Sequence, residues 1–129
     1  MADRLIELTR ELYDAFNRGD LETLISSLDP EVETHDPDRT GAVHRGRDGY
    51  RAFMGEWLET WDKYSVELTE LTANGDKVLA EATQTGIGKG SGIEFSASFT
   101  QVLTFRGEKV VRFEIFLDRT EAERAAGLG

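Results

Sequence analysis

The sequence predicts an α+β fold in which three helices cover the concave face of a strongly curved sheet that is antiparallel for the most part, and so mixed. Two observations carry this prediction. Apolar residues recur every three or four positions up to residue 62, and from Tyr64 onward they alternate. Short turns rich in glycine and asparagine join the later strands, and such hairpins make sequential strands antiparallel. A sheet with one apolar face needs helices on that face, which gives a two-layer α+β domain.

Length and composition predict the number of domains and disfavour several kinds of partner and site. The chain has 129 residues, and we expect residues 1–129 to form a single domain. The net charge of −10 disfavours nucleic acid and anionic membranes as partners. No apolar run approaches the roughly 20 residues of a membrane span, and no signal-peptide pattern opens the chain. A cytoplasmic protein is therefore expected, and without cysteine it has no thiolate nucleophile.

Three amphipathic helices are predicted in the first half. The first spans residues 4–17 and ends before Gly19, which suits the left-handed cap of a helix. Asp20 caps a short second helix that ends by Pro30. The third spans residues 47–62 and follows a loop at 37–46. Its apolar stripe includes an aromatic pair four residues apart, Trp57 and Trp61.

Five strands and a last helix complete the predicted order. A short strand, Val32–Asp36, precedes the loop at 37–46, and Asn74-Gly75-Asp76 is a hairpin turn. A glycine-rich loop covers residues 86–92. The other strands are predicted at 66–71, 78–85, 93–105 and 110–117, and the helix at 119–126.

The long strand at 93–105 shows which sheet face is buried. One face carries Phe95, Ala97, Phe99, Gln101, Leu103 and Phe105. Gln101 is the only polar residue of this set, so it is either a structural amide or a donor to a ligand. Gln84 is predicted to line the same cavity, because Ala80 and Ala82 beside it leave space beneath the helices.

The opposite sheet face is mixed. The last strand places Arg112, Glu114 and Phe116 there. Apolar anchors beside paired charges are typical of a homodimer interface, whereas the other interpretation is a solvated face that would expose Phe116 and Val102.

Asp36 is the leading candidate for chemistry. An aspartate before a proline commonly begins a turn, but an acidic group at a strand end beside an apolar pocket can also act as a general base. His35 is expected on the other face of the strand, and His44 on the surface. The two histidines lack metal-ligand spacing, so no metal site is predicted. Trp57 and Trp61 are either plain core or the wall of a pocket for an apolar ligand.

These features together resemble the nuclear-transport-factor-2-like superfamily, which includes ketosteroid isomerase and SnoaL-like polyketide cyclases. The likeness covers essentially the whole chain. It is carried by Ala15-Phe16-Asn17-Arg18-Gly19-Asp20, Asp36-Pro37, Gly46-Arg47-Asp48-Gly49 and Leu117-Asp118. The resemblance implies a cone-shaped fold, with helices lining a deep pocket on the concave sheet face, and often a homodimer through the outer face.

The resemblance also implies site residues. Asp36 matches the base that removes a proton beside a carbonyl in ketosteroid isomerase. Gln101 takes the place of an oxyanion-binding aspartate, and Leu12 that of an oxyanion-binding tyrosine. Tyr13 is one residue off, about 100° of helix rotation, and is expected to point elsewhere, leaving the oxyanion hole incomplete.

The predicted protein is a cofactor-free acid–base isomerase, cyclase or hydrolase that acts on a polyketide-, steroid- or terpenoid-like carbonyl compound. Asp36 and Gln101 are the predicted catalytic residues. The alternatives are a non-catalytic ligand-binding module and a dimeric interaction module of the same fold. The predicted ligand-binding residues are Tyr13, Phe16, Phe53, Trp57, Trp61, Gln84, Phe99 and Phe113.

Overall fold

The computed structural model describes residues 2–36 and 41–128. The helices are α1 (Ala2–Asn17), α2 (Leu21–Ser26), α3 (Gly46–Glu59) and α4 (Arg119–Ala125). The strands are β1 (Leu28–Asp36), β2 (Ala42–Arg45), β3 (Trp61–Asn74), β4 (Lys77–Gly88), β5 (Glu94–Arg106) and β6 (Lys109–Phe116). The predicted class is confirmed: a curved, unclosed, mixed sheet carries three helices from the first half of the chain. Within the described ranges, no helix is long and apolar enough to cross a membrane.

The six strands form one sheet in the order β2-β1-β6-β5-β4-β3. Neighbours are antiparallel except β1 and β6, which run parallel. Parallel neighbours end at the same edge of a sheet. The last residue of β1, Asp36, therefore lies at the edge where β6 leads into Leu117.

The main core lies between the concave sheet face and the helices. Alternate residues of the central strands point into it, as the period of a strand requires. The largest fully buried side chain is Phe113 of β6, and Leu103 of β5 is its cross-strand neighbour. Alternation in the last strand, with Arg112 on the outer face, predicts Val111 on the concave face. Val110 joins the concave core instead, because a register shift between Thr104 and Phe105 inserts an extra residue in β6.

Several predicted boundaries are wrong. The predicted loop 37–46 contains β2, which pairs with β1 from Glu33 to Asp36, while residues 37–40 lie outside the described residues. The third helix ends at Glu59, so Trp61 begins β3 and pairs with Gly88. An apolar stripe with helical spacing that continues directly into an alternating strand does not show at which residue the helix ends.

Gly86 and Gly88 lie in β4 instead of in the predicted loop. The ring of Trp61 explains the glycine at position 86. A Cβ added to Gly86 would lie 2.5 Å from an atom of that ring, closer than any real contact. The strand therefore passes directly beneath an indole, and only glycine leaves room for it.

The terminal helix α4 packs against the outer face of the sheet. It covers Leu79, Val102 and Phe116 with its own Ala122 and Ala126. The Asn74 side-chain amide donates to the Ala126 carbonyl at 2.8 Å, and Arg119 pairs with Glu70 and Glu81. Neither sequence interpretation of this face foresaw that α4 covers Phe116 and Val102 within the chain. The homodimer stays a prediction, and Phe116, its proposed apolar anchor, is already buried without a partner.

Candidate functional site

A cavity lies between the concave sheet face and helices α1 and α3. The centres of water-sized molecules can occupy about 100 Å³ of it, which is room for several waters or part of an organic ligand. Its walls are mostly aromatic and aliphatic, as in small-molecule sites. Seven predicted ligand-binding residues line it: Tyr13, Phe16, Phe53, Trp57, Gln84, Phe99 and Phe113.

Trp61 is the predicted ligand-binding residue that does not line the cavity. It lies behind the wall, with its ring centroid 5.5 Å from that of Trp57 and 5.6 Å from that of Tyr64. The two tryptophans do meet as expected, but across the junction of α3 and β3 instead of along one helix. On its outer side Trp61 contacts the partly exposed Phe95.

Asp36 is 1% exposed and lines the cavity from the end of β1. Its neighbour His35 points to the other face, as expected, where its imidazole meets the Glu33 carboxylate at 2.9 Å. His35 pairs with Glu114 of β6, so Asp36 lies beside Ile115. Ile115 in turn pairs with Gln101 of β5. Asp36 and Gln101 thus share one cross-strand row, with backbones about 10 Å apart.

Gln101 is held by Tyr13. The Tyr13 hydroxyl donates a hydrogen bond to the Gln101 side-chain oxygen, across 88 positions of sequence. The expectation that Tyr13 points elsewhere is wrong. Leu12 and Tyr13 are both buried and both line the cavity, because α1 buries a face wide enough to include two residues 100° apart.

The hydrogen bond from Tyr13 decides which atoms of the Gln101 amide are left to meet a ligand. With its oxygen occupied by Tyr13, Gln101 has two N–H donors left, and no described residue accepts from them. Burial raises the pKa of Tyr13 well above its ordinary value, and the nearby Tyr50 and Tyr64 add to the effect. The Tyr13 hydroxyl therefore keeps its proton and holds the amide in one orientation.

A second tyrosine–glutamine pair lies in the same cavity. The Tyr64 hydroxyl donates to the Gln84 side-chain oxygen at 2.6 Å. Gln84 is a predicted site residue, whereas Tyr64 was missed. Tyr64 begins an alternating series with Val66 and Leu68, and that spacing could have placed it on the concave face.

Tyr50 also lines the cavity, whereas His44 lies behind Phe53 and is not a lining residue. Tyr50 of α3 stacks on Phe113 with ring centroids 5.4 Å apart, and burial raises the pKa of its hydroxyl. His44 lies in β2 and stacks on Phe53 at 4.6 Å, so its ring is partly covered. Tyr50 was predicted as part of the α3 stripe, but its place in the cavity wall was not.

The raised tyrosine pKa values predict alkaline destabilisation. The unfolded protein loses the protons of Tyr13 and Tyr50 near pH 10.0, whereas the folded protein keeps them. Their stabilising effect is complete below pH 10 and falls above it, by about 1.4 kcal/mol per pH unit for each group. Urea unfolding at pH 8, 10 and 11 measures this loss. Tyr50→Phe is expected to remove about half of it, and an unchanged pH dependence in that variant would contradict the assignment.

The profile of the SnoaL-like domain matches residues 9–113. The chain belongs to the SnoaL-like domain family. This confirms the predicted resemblance, and the match runs from the middle of α1 to Phe113 of β6, a range that includes Asp36, Gln84 and Gln101. No curated protein matches the chain.

Solved structures with the same fold are numerous. An NTF2-like protein of unknown function from Burkholderia pseudomallei is 24% identical over 95% of this chain and 97% of its own, with a TM-score of 0.81. TerC, co-crystallized with polyporic acid, is 23% identical over 95% and 97%, with a TM-score of 0.80. A ketosteroid isomerase-like protein from Catenulispora acidiphila, in complex with trimethylamine, is 20% identical over 95% and 94%, with a TM-score of 0.78. At these identities the likeness concerns the fold, and this SnoaL-like chain shares it.

Proposed function

We propose that this SnoaL-like protein is a cofactor-free acid–base enzyme that acts on an apolar carbonyl compound of polyketide, steroid or terpenoid type. One observation carries the proposal. A buried carboxylate, Asp36, and an oriented amide, Gln101, face the same apolar cavity from one row of the sheet. Proton abstraction beside a carbonyl needs a base for the carbon and a donor for the oxygen, at two separated points.

Asp36 is the proposed base. Its carboxylate takes a proton from the carbon next to the carbonyl, and the C–H electron pair becomes the double bond of an enolate while the carbonyl oxygen takes the negative charge. In an isomerisation, Asp36 returns the same proton to a different carbon. In a cyclisation, the enolate carbon attacks a second carbonyl of the substrate. Both outcomes use the same first step and the same two protein groups.

Gln101 is the proposed donor to the enolate oxygen. Its N–H groups are available because Tyr13 occupies the amide oxygen. Tyr13 then acts as a positioning residue: it fixes which end of the amide faces the substrate. An amide donor is weaker than a protonated carboxyl group, which suits a substrate whose enolate is already stabilised by conjugation.

Small ligands bound to two proteins of the same fold support the interpretation of the cavity as a small-molecule site. TerC was co-crystallized with polyporic acid, and the Catenulispora protein is in complex with trimethylamine. The described wall of this chain carries one charged residue, Asp36, and no lysine, arginine or histidine. An uncharged, largely apolar substrate therefore suits it best.

Hydrogen–deuterium exchange of 2-tetralone tests the proposal. This ketone has an acidic carbon between its carbonyl and its aromatic ring, and NMR in D₂O follows exchange there. We expect the protein to exceed the rate given by acetate at equal carboxylate concentration. Gln101→Met keeps the side-chain length but removes the donor, and the rate is expected to fall about a hundredfold. Exchange no faster than with acetate would overturn the proposed function.

A non-catalytic binding module is the second candidate. One observation favours it: the single hydroxyl proton of Tyr13 is committed to Gln101 rather than directed at a ligand. In that case 2-tetralone binds and stabilises the protein against heat, but its exchange rate stays at the acetate level. Calorimetric binding and exchange, measured on the same sample, separate the two functions.

A further inference from the structure

The cavity contains a second polar point, distant from Asp36 and not needed for proton transfer. It is formed by Gln84 and Tyr64. We propose that this pair recognises a second oxygen atom of the substrate, a keto or hydroxyl group at the end opposite the reacting carbonyl. The inference rests on the proposed function for the orientation of the substrate, and it defines the substrate class more narrowly.

The position of Gln84 follows from strand register. Gln101 pairs with Ala80 of β4, and Gln84 lies four residues further along the same strand, on the same face. The backbones of the two glutamines are therefore about 13 Å apart along the strands and one strand apart across them. For side chains that extend side by side from the sheet, a hydrogen bond of about 3 Å at each end then leaves about 8 Å between two ligand oxygens.

Gln84 is oriented as firmly as Gln101. The Tyr64 hydroxyl occupies the Gln84 oxygen at 2.6 Å, so the N–H groups are left to donate, and no described residue accepts from them. Three aromatic rings hold Tyr64 in place: Phe16 at 5.9 Å, Trp57 at 5.8 Å and Trp61 at 5.6 Å between centroids. The contacts with Phe16 and Trp57 are edge-to-face and the one with Trp61 is tilted, and together they restrain the tyrosine ring and, through it, the amide.

The surroundings limit what this pair can bind. The wall around the two glutamines is apolar, with Val66 and Phe99 on the sheet and Phe16 on α1. A charged group there would lose its water without gaining a counter-ion, because no described basic side chain lines the cavity. The ligand class is therefore an elongated, uncharged, apolar compound with an oxygen near each end.

A pair of matched ketones tests the inference. 6-Hydroxy-2-tetralone and 6-methyl-2-tetralone differ by a hydroxyl against a methyl group of similar size, at the end far from the carbonyl. Exchange rates are divided by the acetate-catalysed rates, which removes their difference in intrinsic acidity. We expect kcat/KM to favour the hydroxy compound by about tenfold, since one buried hydrogen bond to an otherwise unpaired amide is gained.

Gln84→Met removes the amide at nearly constant length, and the preference is expected to fall to about one or to reverse. Thr83→Val, a neighbouring change on the opposite face of β4, is the control and should keep the preference. Equal rates for the two ketones with the wild-type protein, or a preference that survives Gln84→Met, would overturn the inference.

The test also works if catalysis is absent. The same two ketones can then be compared by calorimetric dissociation constants, for which the same tenfold preference and its loss in Gln84→Met are expected. No exchange together with preferred binding of the hydroxy compound would reject the proposed function and retain the polar pair. Exchange without any preference for the hydroxy compound would retain the proposed function and reject the role of the polar pair.

Discussion

Asp36→Asn is expected to slow hydrogen–deuterium exchange of 2-tetralone by about a hundredfold to ten-thousandfold. The substitution preserves the shape of the side chain but removes the only carboxylate of the described cavity wall. Without it, the proton of the carbon acid has no acceptor within the apolar site. Binding of the ketone should be kept, because the aromatic wall that holds it is unchanged. NMR exchange rates and calorimetric dissociation constants measure the two effects separately.

Asp48→Asn is the matched control for this experiment. Its carboxylate lies on the surface of α3, fully exposed beside Arg51, and the exchange rate should stay at the wild-type level. Thermal unfolding of both variants checks that the fold is kept. An Asp36→Asn protein that folds, binds the ketone and exchanges it at the wild-type rate would remove Asp36 from the mechanism.

Phe113→Ala is expected to lower the free energy of unfolding by about 3–5 kcal/mol. Phe113 is 1% exposed and lies on the concave face of β6, between Thr34 of β1 and Leu103 of β5. Its ring also stacks on Tyr50, which joins the sheet to α3. Truncation removes apolar contacts on both sides and enlarges a cavity that the helices cannot close. Urea unfolding followed by tryptophan fluorescence measures the loss.

Phe95→Ala gives the comparison for that measurement. The same side chain is lost, but Phe95 is 38% exposed near the start of β5 and one of its ring contacts is with Trp61. Phe95→Ala is expected to lower the free energy of unfolding by well under half as much as Phe113→Ala does. Similar losses for the two variants would show that burial on the concave face does not decide stability here.

Predictions that depended on strand period largely succeeded. The alternation in β5 placed Phe99, Gln101 and Leu103 on the concave face, and the structure has them there. Alternation also put His35 on the face opposite Asp36. Successive side chains of a strand point to opposite faces of the sheet, and the positions of the apolar residues show which face is buried.

Predictions that depended on one position of a helix or on an element boundary failed more often. Tyr13 was excluded from the predicted oxyanion hole because it stood one residue from the expected position, yet the buried face of α1 is wide enough to include it. The boundary between α3 and β3 was placed too late, since residues 57, 61 and 64 keep the helical spacing of four and three positions across the point where the strand begins. Burial of Phe116 was missed because the short α4 docks on it through tertiary contacts alone.

The sequence by itself determined the order of most elements, the concave face of the sheet, and an aspartate at a strand end facing that side. These follow from periodicity and turn chemistry, which act over a few residues. Only the tertiary structure decided which polar groups meet in the cavity. Tyr13 reaches Gln101 across 88 positions and Tyr64 reaches Gln84 across 20, because α1 packs on the sheet and β3 pairs with β4. The orientation of both amides depends on those contacts, and no local pattern encodes it.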